Sequence, residues 1–229
     1  LSIDGDKSLS IRWVLLSSQS LKKCRSSNLL LSEDVYSSLN CLKKLGVKIK
    51  ISKKFCEIIG LGLNGFKYKD NTILDAGNSG TLGRLILGLL VHSKKKIKLK
   101  GDKSLSKRDF LRVIKPLEKF GAKFESNFGK LPIEVHGTNY SKPIKFYENK
   151  GSAQCKSAVM FAALNTQGET IIKAKKSRDH SELLFKHLKL PIKVLNKRDY
   201  DLIEIKGKKK IKPLNYKIPT DISSSAFFI

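Results

Sequence analysis

Apolar residues along this chain recur with two periods, and the two alternate. Trp13, Val14, Leu15 and Leu16 continue a helix begun near residue 7. Val35, Leu39, Leu42 and Leu45 line a second, which Gly46 stops. Residues 47–51 switch to the two-residue alternation of a strand, and 54–59 predict another. The plan then returns. A helix is expected over 85–91, a strand over 96–100, a helix over 110–120 closed by Gly121, and strands over 122–125, 132–136 and 143–147. Pro116 is predicted to kink or tighten the helix that contains it. A third round reads as helices over 157–164 and 182–188 and strands over 169–174, 192–195 and 202–205.

The rounds are marked by a recurring polar cluster. Gly5-Asp6-Lys7-Ser8-Leu9-Ser10-Ile11-Arg12, Gly77-Asn78-Ser79-Gly80-Thr81 and Gly151-Ser152-Ala153-Gln154-Cys155-Lys156 each open an apolar run, at steps of 72 and 74 residues. Ser32-Glu33-Asp34, Ser106-Lys107-Arg108-Asp109 and Asp179-His180-Ser181-Glu182 form a second series of predicted helix starts, at steps of 74 and 73. Asp179 and Glu182 have the spacing of a capping box. A cluster over 219–226 predicts one more helix start, about 70 residues after Gly151. A period above 70 is too long for the usual solenoids, and each round holds two helices and several strands, so the expected class is α/β. Helix starts leave amide N–H groups free and attract anions. The tripled unit therefore triples a potential anion site.

Charge alone points elsewhere. The net charge of +26 suggests nucleic acid, yet 39 lysines against 7 arginines, spread over strands and turns, read as solvated surface. The scarcer cation is the informative one. Arg12, Arg84, Arg108 and Arg178 lie within or just after the clusters, where planar, bidentate donors suit phosphate or carboxylate. Cys24, Cys41, Cys56 and Cys155 show no Cys-x-x-Cys spacing and are expected as buried free thiols in a reducing cytoplasm. The run over 85–91 is far short of the roughly 20 residues that span a bilayer.

Other motifs carry less. Gly60-Leu61-Gly62-Leu63-Asn64-Gly65 matches a dinucleotide fingerprint, but no helix follows the third glycine and no acid stands about 20 residues on, so a strand-to-loop turn is expected. His92, His136, His180 and His187 have no metal-ligand spacing, and His180 is read as part of a helix start. No Gly-x-Ser-x-Gly motif occurs.

In order along the chain, Gly5 to Arg12, Leu74-Asp75-Ala76-Gly77-Asn78-Ser79-Gly80-Thr81 with Arg84, Ser104-Leu105-Ser106-Lys107-Arg108, Ser152-Ala153-Gln154 with Lys156-Ser157, and Ser177-Arg178-Asp179-His180 resemble the motifs of the EPSP synthase (3-phosphoshikimate 1-carboxyvinyltransferase) family. Ser32-Glu33-Asp34 and Asp221 to Phe228 fit the same family. The resemblance implies an EPSP synthase-like α/β domain of three βαβαββ repeats, one half of a two-domain fold whose helix N-termini face a cleft. It places a single domain over 1–229, with repeats at about 1–70, 71–145 and 146–218 and a further unit starting at 219–229.

The implied reaction joins the enolpyruvyl group of phosphoenolpyruvate to the 5-hydroxyl of shikimate 3-phosphate and releases phosphate, on the route to chorismate and the aromatic amino acids. Carried over by motif, Lys7, Ser8, Arg12, Ser152, Ala153, Gln154 and Arg178 would bind shikimate 3-phosphate. Lys7, Gly80, Arg108 and Gln154 would bind phosphoenolpyruvate. Lys and Arg neutralise phosphates, glycine admits close backbone approach, and holding both substrates together supplies much of the catalysis. No cofactor, metal, membrane or specific nucleic-acid partner is implied, and a cytoplasmic monomer is expected at full length. Leu82-Gly83 departs from the family pattern while Arg84 is kept. The acid/base carboxylates belong to the family's other domain, so the chain, which reads as trimmed at Leu1 and broken off at Ile229, is expected to be an inactive fragment. Two alternatives are a UDP-N-acetylglucosamine enolpyruvyl transferase relative, against which Gly5 to Arg12 and Ser177 to His180 argue, and a lysine-rich nucleic-acid-binding protein.

Overall fold

The computed structural model describes residues 4–52 and 55–221. The predicted helix start over 222–226 and the Lys54 end of the second predicted strand lie outside them. The first round forms α1 (Lys7–Ser17), β1 (Lys23–Ser27), α2 (Glu33–Lys44), β2 (Lys48–Ile51) and β3 (Cys56–Ile59). The second forms β4 (Thr72–Asp75), α3 (Gly80–Leu90), β5 (Ile97–Lys100), α4 (Lys103–Ser106), α5 (Leu111–Glu118), β6 (Lys123–Asn127) and β7 (Lys130–His136). The third forms β8 (Lys145–Glu148), α6 (Ala153–Asn165), β9 (Gly168–Lys175), α7 (His180–His187), β10 (Ile192–Asn196) and β11 (Tyr200–Gly207). A short β12 (Tyr216–Lys217) follows.

Each round builds one four-stranded sheet of the same order. In β4-β5-β7-β6 the first pair is parallel and the others antiparallel, and β8-β9-β11-β10 repeats this. The first sheet, β12-β1-β3-β2, has the same pattern, but its parallel edge strand comes from the far end of the sequence. A parallel pair needs a crossover, and the leading helix of each round supplies it in the second and third sheets.

The described residues fall into two compact units, one within 1–67 and 210–229 and one within 68–209. In the first, the returning segment is tied to α1 and β1. Trp13 Nε1 donates to the Leu214 carbonyl at 2.8 Å, Ile218 N to Ser27 O at 3.0 Å, and Asp6 N to Pro219 O at 2.8 Å. Trp13 is fully buried, so its indole N–H needs that partner.

In the second unit α3 and α6 run parallel. Gln154 Nε2 donates to Thr81 Oγ1 at 3.0 Å near their starts. Midway a Cβ on Gly88 would lie 2.1 Å from Ala158 O, and past their ends His92 Nε2 is 3.3 Å from Thr166 Oγ1. Glycine at 88 lets the two backbones approach. Every residue of α6 from Cys155 to Asn165 is buried, which explains why its apolar run lacks a polar face.

Two local expectations, the helix start at Ser106 and the capping box at α7, need correction, and Pro116 gains a partner for the carbonyl it frees. Ser106 closes α4 rather than opening a helix; α5 starts at Leu111, whose N–H is taken by Asp109 Oδ1 at 2.7 Å. Pro116 does lie inside α5, but the Arg112 carbonyl it leaves without a helical donor accepts from Cys155 Sγ at 2.8 Å. Burial, then the charge of Glu148, pushes the Cys155 thiol up to about 12, so it retains the proton it donates. The capping box at α7 does not form, because Asp179 makes no side-chain cap and Glu182 turns inward to Lys156. All four cysteines are free and buried. Among the described residues no helix is long and apolar enough to cross a membrane.

β1 escaped the periodicity reading. Its burial alternates, yet the inward residues are Cys24 and Ser26, with little hydrophobic signal.

Candidate functional site

The leading helices α1, α3 and α6 begin alike. Asp6 Oδ1 accepts from Leu9 N at 2.7 Å, Ser79 Oγ from Leu82 N at 3.2 Å, and Ser152 Oγ from Cys155 N at 3.3 Å. Each cap therefore satisfies the third amide of its helix and leaves the first two. The N–H groups of Lys7 and Ser8, Gly80 and Thr81, and Ala153 and Gln154 have no acceptor among the described residues. None of the three first turns carries an acid. The following helices differ: α2 has Glu33 and Asp34 in its first turn and α7 has Glu182. Acids at a helix start complement the dipole, so their absence leaves the leading starts positive.

Cations deepen that bias in the second unit. Arg84 Nη1 donates to Gly80 O at 3.1 Å and to Gln154 Oε1 at 2.9 Å, with the guanidinium over the Phe110 ring at 5.0 Å. Burial, then the positive charges of Arg108 and Arg112, lower its hold on its proton. A Cβ on Gly80 would lie 2.8 Å from Arg84 Nη1 and 3.0 Å from Arg108 Nη1. Gly80, Arg108 and Gln154 thus lie close together, with Arg84 and Thr81 between them. Arg108 is exposed and has no carboxylate within ion-pairing distance among the described residues. Asn78 Nδ2 donates to Asp102 Oδ2 at 2.6 Å, and Asp102 caps α4, which fixes the turn leading to Arg108 against the α3 start. Two parallel helix starts and two guanidinium groups concentrate donors and positive charge, the chemistry that suits an anion.

Ser152, Ala153 and Gln154 stand beside it at the α6 start. The buried Glu148 carboxylate accepts from Lys150 N and Ser152 N, holding the loop that carries them. Gly151 has φ +67°, and a Cβ there would lie 3.2 Å from Lys176 O. The loop bearing Arg178 therefore runs alongside the Ser152 turn. Arg178 itself is exposed, with no carboxylate in ion-pairing range among the described residues.

In the first unit Lys7, Ser8 and Arg12 share the α1 start. Lys7 Nζ lies 3.5 Å from Asp34 Oδ2 and is half-exposed, while the buried Arg12 donates through Nη1 to Ser8 O at 3.0 Å. Arg12 and Arg84 thus hold the carbonyl four residues back in the same way.

Arg84 and Thr81 contact Gln154, and Lys156 pairs with Glu182; none of the four is among the binding residues that the motifs imply. The tripled cation after each cluster was the signal available for Arg84 and Lys156. Among the described residues one group of metal-donor side chains converges, Glu125, Glu134 and His136 on β6 and β7. Lys96 at 2.6 Å and Lys98 at 3.5 Å already match the Glu134 charge.

The family model of EPSP synthase (3-phosphoshikimate 1-carboxyvinyltransferase) matches residues 1–229. A relative from Ruthia magnifica named 3-phosphoshikimate 1-carboxyvinyltransferase is 43% identical over 230 residues, covering 100% of this chain and 52% of its own length. One of the same name from Caldicellulosiruptor saccharolyticus is 40% identical over 232 residues, covering 100% of this chain and 53% of its own. A solved EPSP synthase from Acinetobacter baumannii superposes with a TM-score of 0.90 at 32% identity, over 100% of this chain and 51% of that one. The chain spans about half the length of the relatives it matches. Its three sheets agree with one half of the two-domain fold.

Proposed function

We propose that this chain, which belongs to the EPSP synthase family, supplies substrate contacts for transfer of the enolpyruvyl group of phosphoenolpyruvate to the 5-hydroxyl of shikimate 3-phosphate, with release of phosphate. The observation that carries this is the start of the α3/α6 pair. Two guanidinium groups crowd a residue that has no side chain, beside amides with no acceptor among the described residues. Such an arrangement stabilises a small polyanion far better than it stabilises itself.

In this reading Gly80, Arg108, Gln154 and Lys7 bind phosphoenolpyruvate. Lys7, Ser8, Arg12, Ser152, Ala153, Gln154 and Arg178 bind shikimate 3-phosphate, Ala153 through its amide. Arg84 orients Gln154 by donating to Oε1, while Thr81 accepts from Nε2. The acid/base carboxylates are assigned to the part of the relatives that this chain does not span, so turnover belongs to the full-length protein. The treatment of 1–229 as one domain of three repeats, a cytoplasmic setting and a monomeric full-length enzyme without specific nucleic-acid binding are parts of the same proposal.

The test is phosphate release by the full-length protein. Release that requires both substrates together supports the reading. No release, accompanied by duplex-DNA binding with a steep salt slope, overturns it in favour of the nucleic-acid alternative.

A further inference from the structure

α6 and α7 are joined by a polar clamp that core packing does not require. Lys156 is wholly buried and Glu182 is 3% exposed, with Nζ and Oε1 2.5 Å apart. Neither the ammonium nor either carboxylate oxygen has a hydrogen bond of good geometry among the described residues. One residue further on, Ser157 Oγ and Ser181 Oγ are 2.6 Å apart. Ser157 donates its single proton to Ala153 O at 2.6 Å, so in that arrangement the bridge between the helices is donated by Ser181.

A buried ion pair loses its hydration, and an apolar pair of similar volume often packs at no loss of stability. What an ion pair adds is direction. Here the first turns of two helices are fixed to each other. Glu182 occupies the place from which a capping box would have reached back to its own helix, and reaches across instead. Immediately before the clamp on one side stand Ser152, Ala153 and Gln154, and on the other Arg178. Where Arg12 and Arg84 hold carbonyls of their own helices, Lys156, in the corresponding turn of α6, holds the neighbouring helix.

We propose that Lys156, Glu182 and the Ser157–Ser181 bridge are positioning residues for shikimate 3-phosphate. They hold the Arg178 loop in register with the Ser152 turn, so that cation and hydroxyl meet the same phosphate. This rests on the assignment of Arg178 and Ser152 to that substrate.

The experiment compares three forms of the full-length protein: the parent, the apolar double variant Lys156→Met with Glu182→Leu, and Ser181→Ala. Each is measured for thermal stability and for binding of shikimate 3-phosphate and of phosphoenolpyruvate by calorimetry. The double variant should stay folded and lose about tenfold in shikimate 3-phosphate affinity while its phosphoenolpyruvate affinity holds; Ser181→Ala should show a smaller loss of the same selectivity. If the double variant does not fold, Ser181→Ala decides. Shikimate 3-phosphate affinity equal to the parent in every variant that folds, or an equal loss for both ligands, overturns the positioning role. A parent that binds no shikimate 3-phosphate would instead sink the assignment beneath it.

Discussion

The two ends of the α3/α6 pair are built for opposite purposes. At the starting end the amides of Gly80, Thr81 and Gln154 have no acceptor among the described residues, and Arg84 lies among the like charges of Arg108 and Arg112. At the finishing end His92 meets Thr166 in a buried contact, and burial, then the charge of Lys208, lowers the imidazole to about 4. One end attracts a charge that the protein does not carry, and the other refuses a charge it could carry. Because the two helices run parallel, both positive dipole ends meet at the start; at the finish, burial outweighs the negative ends, which would favour a charged imidazole.

The sharpest way to break this contrast is in the middle. Gly88→Ala would drive a Cβ to within 2.1 Å of Ala158 O, a backbone atom that cannot swing aside. We expect a loss of about 3 kcal/mol in denaturant unfolding, with both ends loosened; parental stability would show that the helices are not so closely seated.

Arg108→Ala acts on the starting end alone. Phosphoenolpyruvate affinity of the full-length protein should fall about 10- to 100-fold, the range for loss of a charged hydrogen-bonding group, with unfolding stability within about 0.5 kcal/mol of the parent. Unchanged affinity would remove Arg108 from the anion site.

Acid acts on the finishing end. With a folded value near 4 against 6.5 for an unperturbed imidazole, His92 takes its proton in the unfolded chain first. Stability from this group is complete above pH 6.5 and is lost as pH falls toward 4, on the order of 3 kcal/mol in all. Unfolding curves of parent and His92→Leu across that window should differ in slope in this sense. Parallel pH profiles would mean that the imidazole is not held neutral.

The smallest effect concerns the caps. Ser79→Ala and Ser152→Ala should each cost about 1 kcal/mol, whereas Ser32→Ala, at an α2 start whose serine makes no cap bond, should change little. Equal losses at all three would erase the distinction between leading and following helices.

Much of this was legible along the chain because it is local. Caps at Asp6, Ser79 and Ser152 act on amides three residues away, so residue type and spacing announce them. Helix and strand periods were read for the same reason, except where inward positions are small or polar, as in β1. The Asp179–Glu182 pair shows where local reading fails. Its spacing fits a cap, but Lys156 offers Glu182 a buried opposite charge, and that stronger interaction takes the side chain. The site was half legible. The motifs name Gly80, Arg108 and Gln154, which lie close to one another, but not the contact by which Arg84 reaches Gln154.

By itself the sequence determined the alternation of helices and strands, the starts of the leading helices α1, α3 and α6, and the residues that leave amides and cations at them. The tertiary structure alone decided that α3 and α6 start side by side, that Arg84 reaches Gln154 across 70 residues, that β12 completes the first sheet, and that Lys156 meets Glu182. Local chemistry is written in spacings of three or four residues. Which distant groups meet depends on how whole elements pack, and no spacing along the chain encodes that.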